Sequence, residues 1–161
     1  MCYNTTKRAC SPLKRLFSAE DRRLIIFSSS TTDTEKAGAE LAKKLKPRDF
    51  VAIYGDLGVG KTAFVRGAAS VLCPDAAVCS PTYAIVNRYG GDVTVYHFDL
   101  YRINDEDDLY STGFFDMIEE DAIFFCEWCE KCPFAIPDNA IKVFISRQGN
   151  GRRIEIADTL A

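Results

Sequence analysis

Eight consecutive residues, 55–62, read G-D-L-G-V-G-K-T and match the phosphate-binding pattern G-x-x-x-x-G-K-[ST]. The backbone N–H groups of such a loop, with the N-terminus of the helix that follows, surround the phosphate oxygens of a nucleotide. Lys61 supplies a positive charge to the β and γ phosphates, and the Thr62 hydroxyl is suited to ligate magnesium. We therefore expect a continuous run of residues to contact the phosphates of ATP: Gly55, Asp56, Leu57, Gly58, Val59, Gly60, Lys61, Thr62 and Ala63.

Two acidic residues each follow an apolar stretch that resembles a buried strand. Asp99 comes after residues 93–98, and Glu127 comes after residues 123–126. A P-loop enzyme needs an acid beside its magnesium ion, usually at the end of such a strand. We predict that both acids are catalytic and that both, with Thr62, contribute to the Mg²⁺ site. Asp99 is the better metal partner, and Glu127 is the candidate that orients or deprotonates water. A merely solvated acid is the alternative for either residue taken alone.

Three further side chains lie close to these motifs in the sequence. Thr82 follows a Ser-Pro dipeptide in a loop and is a candidate switch residue that senses the γ phosphate. His97 alternates with Asp99 along one strand, and we favour a packed or hydrogen-bonded core role over catalysis for it. Trp128 is a candidate for stacking on a base or contacting a partner, with a half-buried core aromatic as the alternative.

Hydrophobic periodicity predicts the elements that position these residues. A strand over 50–54, the glycine-rich loop and a helix over 61–72 have the order that the phosphate motif requires. Upstream, residues 24–27 resemble a short strand, followed by a helix that Thr32 or Asp33 can cap. Strands that alternate with helices favour a layered α/β domain with a mixed sheet. The sequence thus predicts a single P-loop NTPase domain in which helices flank a mixed β-sheet.

The second half of the chain contributes further strands. The runs 83–89 and 93–98 are separated by G-G-D, a turn composition that predicts an antiparallel hairpin. A short acidic helix is expected over 105–110 and an apolar strand over 122–126. Two strand-like runs near the C-terminus, 141–145 and 152–156, predict a closing hairpin.

Length and composition favour one domain that does not enter a membrane. The chain has 161 residues, of which 47% are hydrophobic, and no apolar run approaches the roughly 20 residues that cross a bilayer. The net charge of -3 argues against a broad nucleic-acid surface, so we expect only indirect contact with tRNA. Basic residues concentrate in 1–23, which we interpret as a flexible extension before an ATPase domain over 24–161. A transit peptide or an RNA-touching arm is the alternative.

Seven cysteines are an odd number, and they favour reduced thiols in a cytoplasmic protein over a disulfide framework. Cys126, Cys129 and Cys132 form C-x-x-C-x-x-C, which resembles part of a zinc or iron–sulfur ligand set. Because no fourth ligand is evident nearby, a metal role is the less favoured interpretation.

Four blocks together resemble the TsaE family, also called YjeE. They are the phosphate loop, S-P-T-Y at 80–83, Y-H-F-D-L-Y-R at 96–102 and E-W at 127–128. Their order and spacing agree over about residues 30–158. The family commonly continues E-W-P, whereas Cys129 follows here.

The resemblance implies an ATPase that binds ATP and Mg²⁺ and works with the TsaD and TsaB proteins. Together these make N6-threonylcarbamoyladenosine (t6A) in tRNA, and TsaE does not transfer the group itself. The matching positions imply phosphate and magnesium binding by Lys61 and Thr62, a switch role for Thr82 and metal-site chemistry for Asp99. They also imply catalysis by Glu127, with Trp128 alongside.

Two other functions remain open from the residues. A small-molecule kinase also pairs a P-loop with a compact α/β domain, but no arginine-rich lid segment is evident. A nucleotide-gated assembly module with slow or incidental hydrolysis is the second alternative. Turnover measured with and without partners separates this module from an ATPase.

Overall fold

The computed structural model describes residues 23–157, so the predicted N-terminal extension lies outside the described residues except for Arg23. The strands and helices follow in chain order: β1 (Arg23–Ser28), α1 (Thr31–Ala42), β2 (Phe50–Tyr54), α2 (Lys61–Leu72), β3 (Val86–Tyr89), β4 (Thr94–Asp99), α3 (Glu106–Ser111), α4 (Phe114–Met117), β5 (Ala122–Glu127), β6 (Ile141–Gln148) and β7 (Gly151–Ala157). Short 3-10 turns at Cys129–Lys131 and Pro133–Ala135 connect β5 to β6. In this described part, no helix is both long and apolar enough to cross a membrane.

The strands form one mixed sheet in the order β1-β7-β6-β2-β5-β4-β3. The central pairs β2–β5, β2–β6 and β4–β5 are parallel, and antiparallel pairs lie on both sides of them. Parallel strands buried on both faces are expected to be apolar, and all six residues of β5 are buried. The architecture confirms the predicted α/β fold with a mixed sheet flanked by helices. Both predicted hairpins are confirmed as β3–β4 and β6–β7.

Alternate residues of the central strands enter two separate cores. Val51 and Ile53 of β2 pack with α1 and α2 on one face, in the same cluster as Phe64. On the other face, Phe50 and Ala52 join an aromatic cluster with residues of α3 and α4. Alternation with a period of two is the expected consequence of strand geometry. Helices α1 and α2, the second of which follows the phosphate loop, are therefore fixed to one face of the sheet.

Glycines allow α1 and α2 to approach each other closely. A Cβ atom added at Gly38 would clash with the backbone carbonyl of Phe64, and one added at Gly67 would clash with that of Glu35. Because those neighbours are backbone atoms, a larger residue at either position would force the helices apart. The orientation of α2, and with it the start of the phosphate-binding helix, depends on this contact.

Two details of the predicted elements were wrong. Ser30, not Thr32 or Asp33, caps α1, because its extended backbone directly precedes the first helical residue and its side chain accepts a hydrogen bond from Asp33 N. The strand predicted over 83–89 begins only at Val86. Residues 82–84 form a turn instead, and Ile85 has a φ of 68° that is incompatible with a strand.

Candidate nucleotide-binding site

The phosphate loop occupies the carboxyl end of β2, where the chain turns from the sheet into α2. Gly55, Gly58 and Gly60 have φ values of 141°, 75° and 108°. Residues other than glycine rarely adopt this backbone conformation, so the tight turn of the loop requires glycine at these three positions. Gly60 precedes α2 and provides no side-chain cap. The N–H groups in the first turn of α2 are thus left for an anion, which the helix dipole also favours.

Lys61 is buried, and its ammonium group is held by the loop itself. Its Nζ donates to the carbonyl oxygens of Gly55 at 2.6 Å and Asp56 at 3.0 Å. The indole ring of Trp128 lies against the same group, with Nζ 3.6 Å from the ring centroid. Burial lowers the pKa of Lys61, and the nearby carboxylates, first among them Glu127, act in the opposite direction.

Glu127 ends β5 and is almost fully buried, with its side chain 3% exposed. One carboxylate oxygen, Oε1, receives two hydrogen-bonding groups from different elements. The Thr62 hydroxyl in the first turn of α2 donates to it at 2.9 Å, and His97 Nε2 on β4 lies 2.8 Å away. His97 is therefore hydrogen-bonded within the core, as the sequence predicted. The contact also links it directly to a site residue.

Asp99 ends the neighbouring strand and pairs in register with Glu127. Its Oδ2 accepts hydrogen bonds from the hydroxyls of Thr82 at 2.6 Å and Ser80 at 3.1 Å. Its Oδ1 accepts from the backbone N–H of Tyr101 at 3.0 Å. The residue as a whole is buried, at 2% exposed, and the predicted switch residue Thr82 is in direct contact with its carboxylate.

A cavity of about 260 Å³ lies between the phosphate loop and the two strand ends. Its walls are Leu57, Gly58, Gly60, Lys61, Thr62, Ser80, Thr82, Asp99, Glu127 and Trp128. Most of the predicted site residues are therefore brought together in one place. Four predicted phosphate contacts are not among these wall residues. Gly55 and Asp56 hold Lys61 through their carbonyls, and the side chains of Val59 and Ala63 are buried.

The oxygen atoms in this cavity fit a magnesium ion. Mg²⁺ prefers hard oxygen ligands and is commonly held by one or two carboxylates together with substrate phosphates. Thr62 contributes a hydroxyl, and Asp99 and Glu127 contribute carboxylates. If Mg²⁺ binds in this cavity, Thr62, Asp99 and Glu127 are the residues that would hold it, and the phosphate loop would face the phosphates.

Trp128 has an unusual backbone, with a φ of 63° directly after the buried strand β5. Its side chain is half-buried and packs at an angle against Tyr101, with 4.8 Å between ring centroids. Trp128 is thus a half-buried core aromatic, which was the alternative interpretation from the sequence. Its ring also forms part of the cavity wall. A left-handed conformation at a bulky residue indicates local strain beside a functional site.

Two contacts with the site were missed at the sequence level. Arg152, on β7, donates from Nε to the Val59 carbonyl of the phosphate loop at 2.5 Å. It also lines, with Arg147 and Gly58, a second cavity of about 300 Å³ beside the loop. Ser80 was noted only as part of a loop, although it binds Asp99. No local pattern could reveal the Arg152 contact, because 93 positions separate the two residues.

The three cysteines of C-x-x-C-x-x-C are all buried in the aromatic core. The Cys129 thiol donates to the Cys126 carbonyl at 3.0 Å, and burial raises the pKa of Cys126 well above its usual range. Across residues 23–157, no group of three or more His, Cys, Asp or Glu side chains is arranged to hold a metal ion. The three thiols pack as small apolar groups.

A strand, a glycine-rich phosphate loop and a helix at the carboxyl edge of a mixed sheet define a P-loop NTPase fold. The family model described as "Threonylcarbamoyl adenosine biosynthesis protein TsaE" matches residues 28–154, well over half of the chain. The chain therefore belongs to the TsaE family, whose name places it in t6A biosynthesis.

Comparisons with individual proteins support this assignment. The chain is 37% identical over 124 residues to the tRNA threonylcarbamoyladenosine biosynthesis protein TsaE of Haemophilus influenzae, covering 75% of this chain and 78% of that protein. It is 34% identical over 120 residues to the protein of the same name from Bacillus subtilis, covering 73% and 75%. The crystal structure of YdiB from Bacillus subtilis superposes with a TM-score of 0.69 at 25% identity, covering 86% of each chain.

Proposed function

We propose that this chain binds ATP with Mg²⁺ and hydrolyses it as the ATPase of the t6A machinery. The observation that carries the proposal is the placement of Glu127 and Asp99, which face the phosphate loop across one cavity. Both carboxylates stand at the ends of neighbouring parallel strands, the position at which P-loop enzymes hold their acids.

We assign roles to four polar residues of the cavity. The loop N–H groups and Lys61 bind the phosphates, and Thr62 and Asp99 hold the metal with Glu127 nearby. Mg²⁺, when bound, would neutralise negative charge on the phosphate oxygens. Among the described residues, the hydrogen bonds to the Glu127 carboxylate both reach Oε1. We assign Oε2 to the attacking water, whose proton it accepts.

The contacts of Lys61 favour slow hydrolysis by the isolated chain. Its ammonium group is bound to loop carbonyls and covered by Trp128. A phosphate must replace these contacts before the lysine can stabilise it. We propose that partner binding favours this rearrangement, which makes turnover dependent on the assembly.

The partners in this proposal are TsaD and TsaB, which the family resemblance implies. The relatives carry names that place them in tRNA threonylcarbamoyladenosine biosynthesis. A net charge of -3 favours protein partners over direct tRNA binding. We place the protein in the cytoplasm, together with the tRNA that the t6A machinery modifies.

Phosphate release from ATP and Mg²⁺ tests the proposal. We would compare the wild type with Glu127→Ala, each alone and with TsaD and TsaB, and measure ATP binding in parallel. Glu119→Ala is the matched control, because Glu119 is exposed, precedes the start of β5 rather than following its end, and is not part of the cavity wall. We expect the partners to stimulate release by the wild type and by the control, and Glu127→Ala to bind ATP without releasing phosphate.

The other outcomes separate the alternatives. Release that is independent of both partners and Glu127 would contradict the proposal. Phosphate transfer to a small molecule would indicate a kinase. Tight ATP binding without turnover in the full assembly would indicate a nucleotide-gated assembly module.

A further inference from the structure

His97 is the chain's only histidine, and it is completely buried on β4. His97 is two residues before Asp99, so both side chains lie on the same face of the sheet, and strand pairing places His97 opposite Phe125. The face is the one covered by α1 and α2, since Val95 and Phe125 belong to that core. An imidazole therefore occupies a position where apolar side chains surround it.

One ring nitrogen has a partner and the other has none. Nε2 lies 2.8 Å from Glu127 Oε1, whereas Nδ1 is the single buried side-chain polar atom of the described residues without a hydrogen bond. Because Nε2 faces a carboxylate oxygen, we assign the ring hydrogen to Nε2, which donates. A buried polar atom without a partner is costly, and an apolar residue of similar size would avoid that cost.

The bond to Glu127 explains why an imidazole stands at this position. We infer that His97 is a positioning residue that fixes the Glu127 carboxylate, so that Oε2 faces the cavity. The inference rests on the proposed ATPase activity. Thr62 donates to the same oxygen, but its hydroxyl is also an expected magnesium ligand. Of the two residues that hydrogen-bond to Glu127, His97 is the one that does not line the cavity.

Fixing one oxygen matters because a general base must be held in the productive geometry. A carboxylate that turns about its last torsion angle presents either oxygen, or neither, to the attacking water. The two donors on Oε1 approach from α2 and from β4, so both sides of the site hold the group. Loss of the His97 donor is expected to lower the rate of the chemical step and to leave ATP binding unchanged.

Two amide substitutions separate positioning from packing. The amide nitrogen of His97→Gln reaches roughly the place of Nε2, whereas that of His97→Asn reaches only the place of Nδ1. With TsaD and TsaB present, we expect His97→Asn to lower kcat by at least about tenfold and to change the Kd for ATP by less than about twofold. His97→Gln is expected to keep kcat within about threefold of the wild type. In a Glu127→Gln background, His97→Asn should cause no further loss.

Equal rates for the Asn variant and the wild type would overturn the inference. So would equal losses in the Asn and Gln variants with a parallel drop in Tm, because packing would then explain them. Failure of the wild type to release phosphate would instead overturn the proposed function, and with it any role of His97 in hydrolysis.

Nuclear magnetic resonance tests the hydrogen bond between His97 and Glu127 directly, without a measurement of ATP hydrolysis. Isotopically labelled histidine gives signals from a single ring in this chain. We expect the hydrogen on Nε2 and a shift of its signal in Glu127→Gln. A hydrogen on Nδ1, or a signal that ignores the Glu127 substitution, would show that His97 does not hold Glu127.

Discussion

Asp99 and Glu127 stand side by side at the ends of parallel strands, yet they are held by different kinds of structure. Glu127 is held by the core, through Thr62 on α2 and His97 on β4. Asp99 is held largely by a loop, through the hydroxyls of Ser80 and Thr82. Both side chains are equally buried, so burial does not distinguish them. The position of Glu127 is preset by the fold, whereas that of Asp99 depends on the conformation of the 80–85 loop.

The loop around Asp99 also carries backbone strain. Ile85 is β-branched and has a φ of 68°, a conformation that costs about 1 to 3 kcal/mol. It is kept there by two backbone hydrogen bonds, from Ile85 N to Pro81 O and from Asp99 N to Ile85 O. Segments with few buried contacts open at lower free energy than core strands. A loop of this kind is suited to change its contacts when a γ phosphate binds.

The largest expected effect comes from removing the charge of the carboxylate held by the core. Glu127→Gln keeps the size of the side chain and its contacts with α2 and β4, but cannot accept a proton. We expect turnover to fall by about 100- to 10,000-fold, with the Kd for ATP within about threefold of the wild type. Single-turnover phosphate release and calorimetry measure the two quantities. A loss confined to ATP binding would contradict the assignment of Glu127 as base.

The matching substitution of the carboxylate held by the loop is expected to act on binding. Asp99→Asn replaces the carboxylate that we propose to bind the metal by a neutral amide, so Mg²⁺-dependent ATP affinity should fall by about 10- to 100-fold. Titration of ATP with and without Mg²⁺ measures the difference. Affinity measured without Mg²⁺ serves as the internal control and should change little. Equal losses in both titrations would show that Asp99 acts on the loop rather than on the metal.

Lys61 faces both carboxylates and gives the site a dependence on pH. In the proposed function the charged ammonium binds phosphate, and burial lowers the pKa of Lys61. As pH rises through this lowered pKa, the free protein loses the charge and must take up a proton to bind. The Kd for ATP should therefore increase by up to about tenfold per pH unit above it. Lys61→Arg keeps its charge over this range, so its Kd should not change with pH.

Local signals in the sequence were sufficient for the part of the site that is continuous along the chain. The predicted bounds of β2 and α2 agree with the structure, because the phosphate motif fixes where the strand ends and the helix begins. The acids at the ends of β4 and β5 were also found, since each follows an apolar run. These predictions needed only neighbouring residues.

The contacts that distinguish the two carboxylates could not be predicted in this way. The bond between His97 and Glu127 joins residues 30 positions apart and depends on the register of two parallel strands. Such a register is set by the crossover between the strands and not by a local turn. The turn at 82–84 was missed because Tyr83 and Ala84 are continuous with the apolar residues Ile85 and Val86, and no Gly or Asn marks a turn there. The strained backbone of Ile85 becomes evident only with Pro81 and Asp99 in place.

The smallest expected effect tests whether the loop is held independently of the core. Thr82→Val removes the shorter of the two hydroxyl contacts with Asp99, and Thr82→Ser keeps the hydroxyl. We expect the free energy of unfolding to fall by about 1 kcal/mol for the Val variant and by less than about half as much for the Ser variant. Chemical denaturation measures these changes.

Hydrogen exchange of the same two variants locates the effect. If Asp99 is held by the loop, Thr82→Val should increase exchange at residues 80–85 and leave β5 as protected as in the wild type, because Glu127 keeps its contacts with Thr62 and His97. Loss of protection spread evenly over β4 and β5 would show that both carboxylates belong to one cooperative unit. The contrast between a core-held and a loop-held carboxylate would then be wrong.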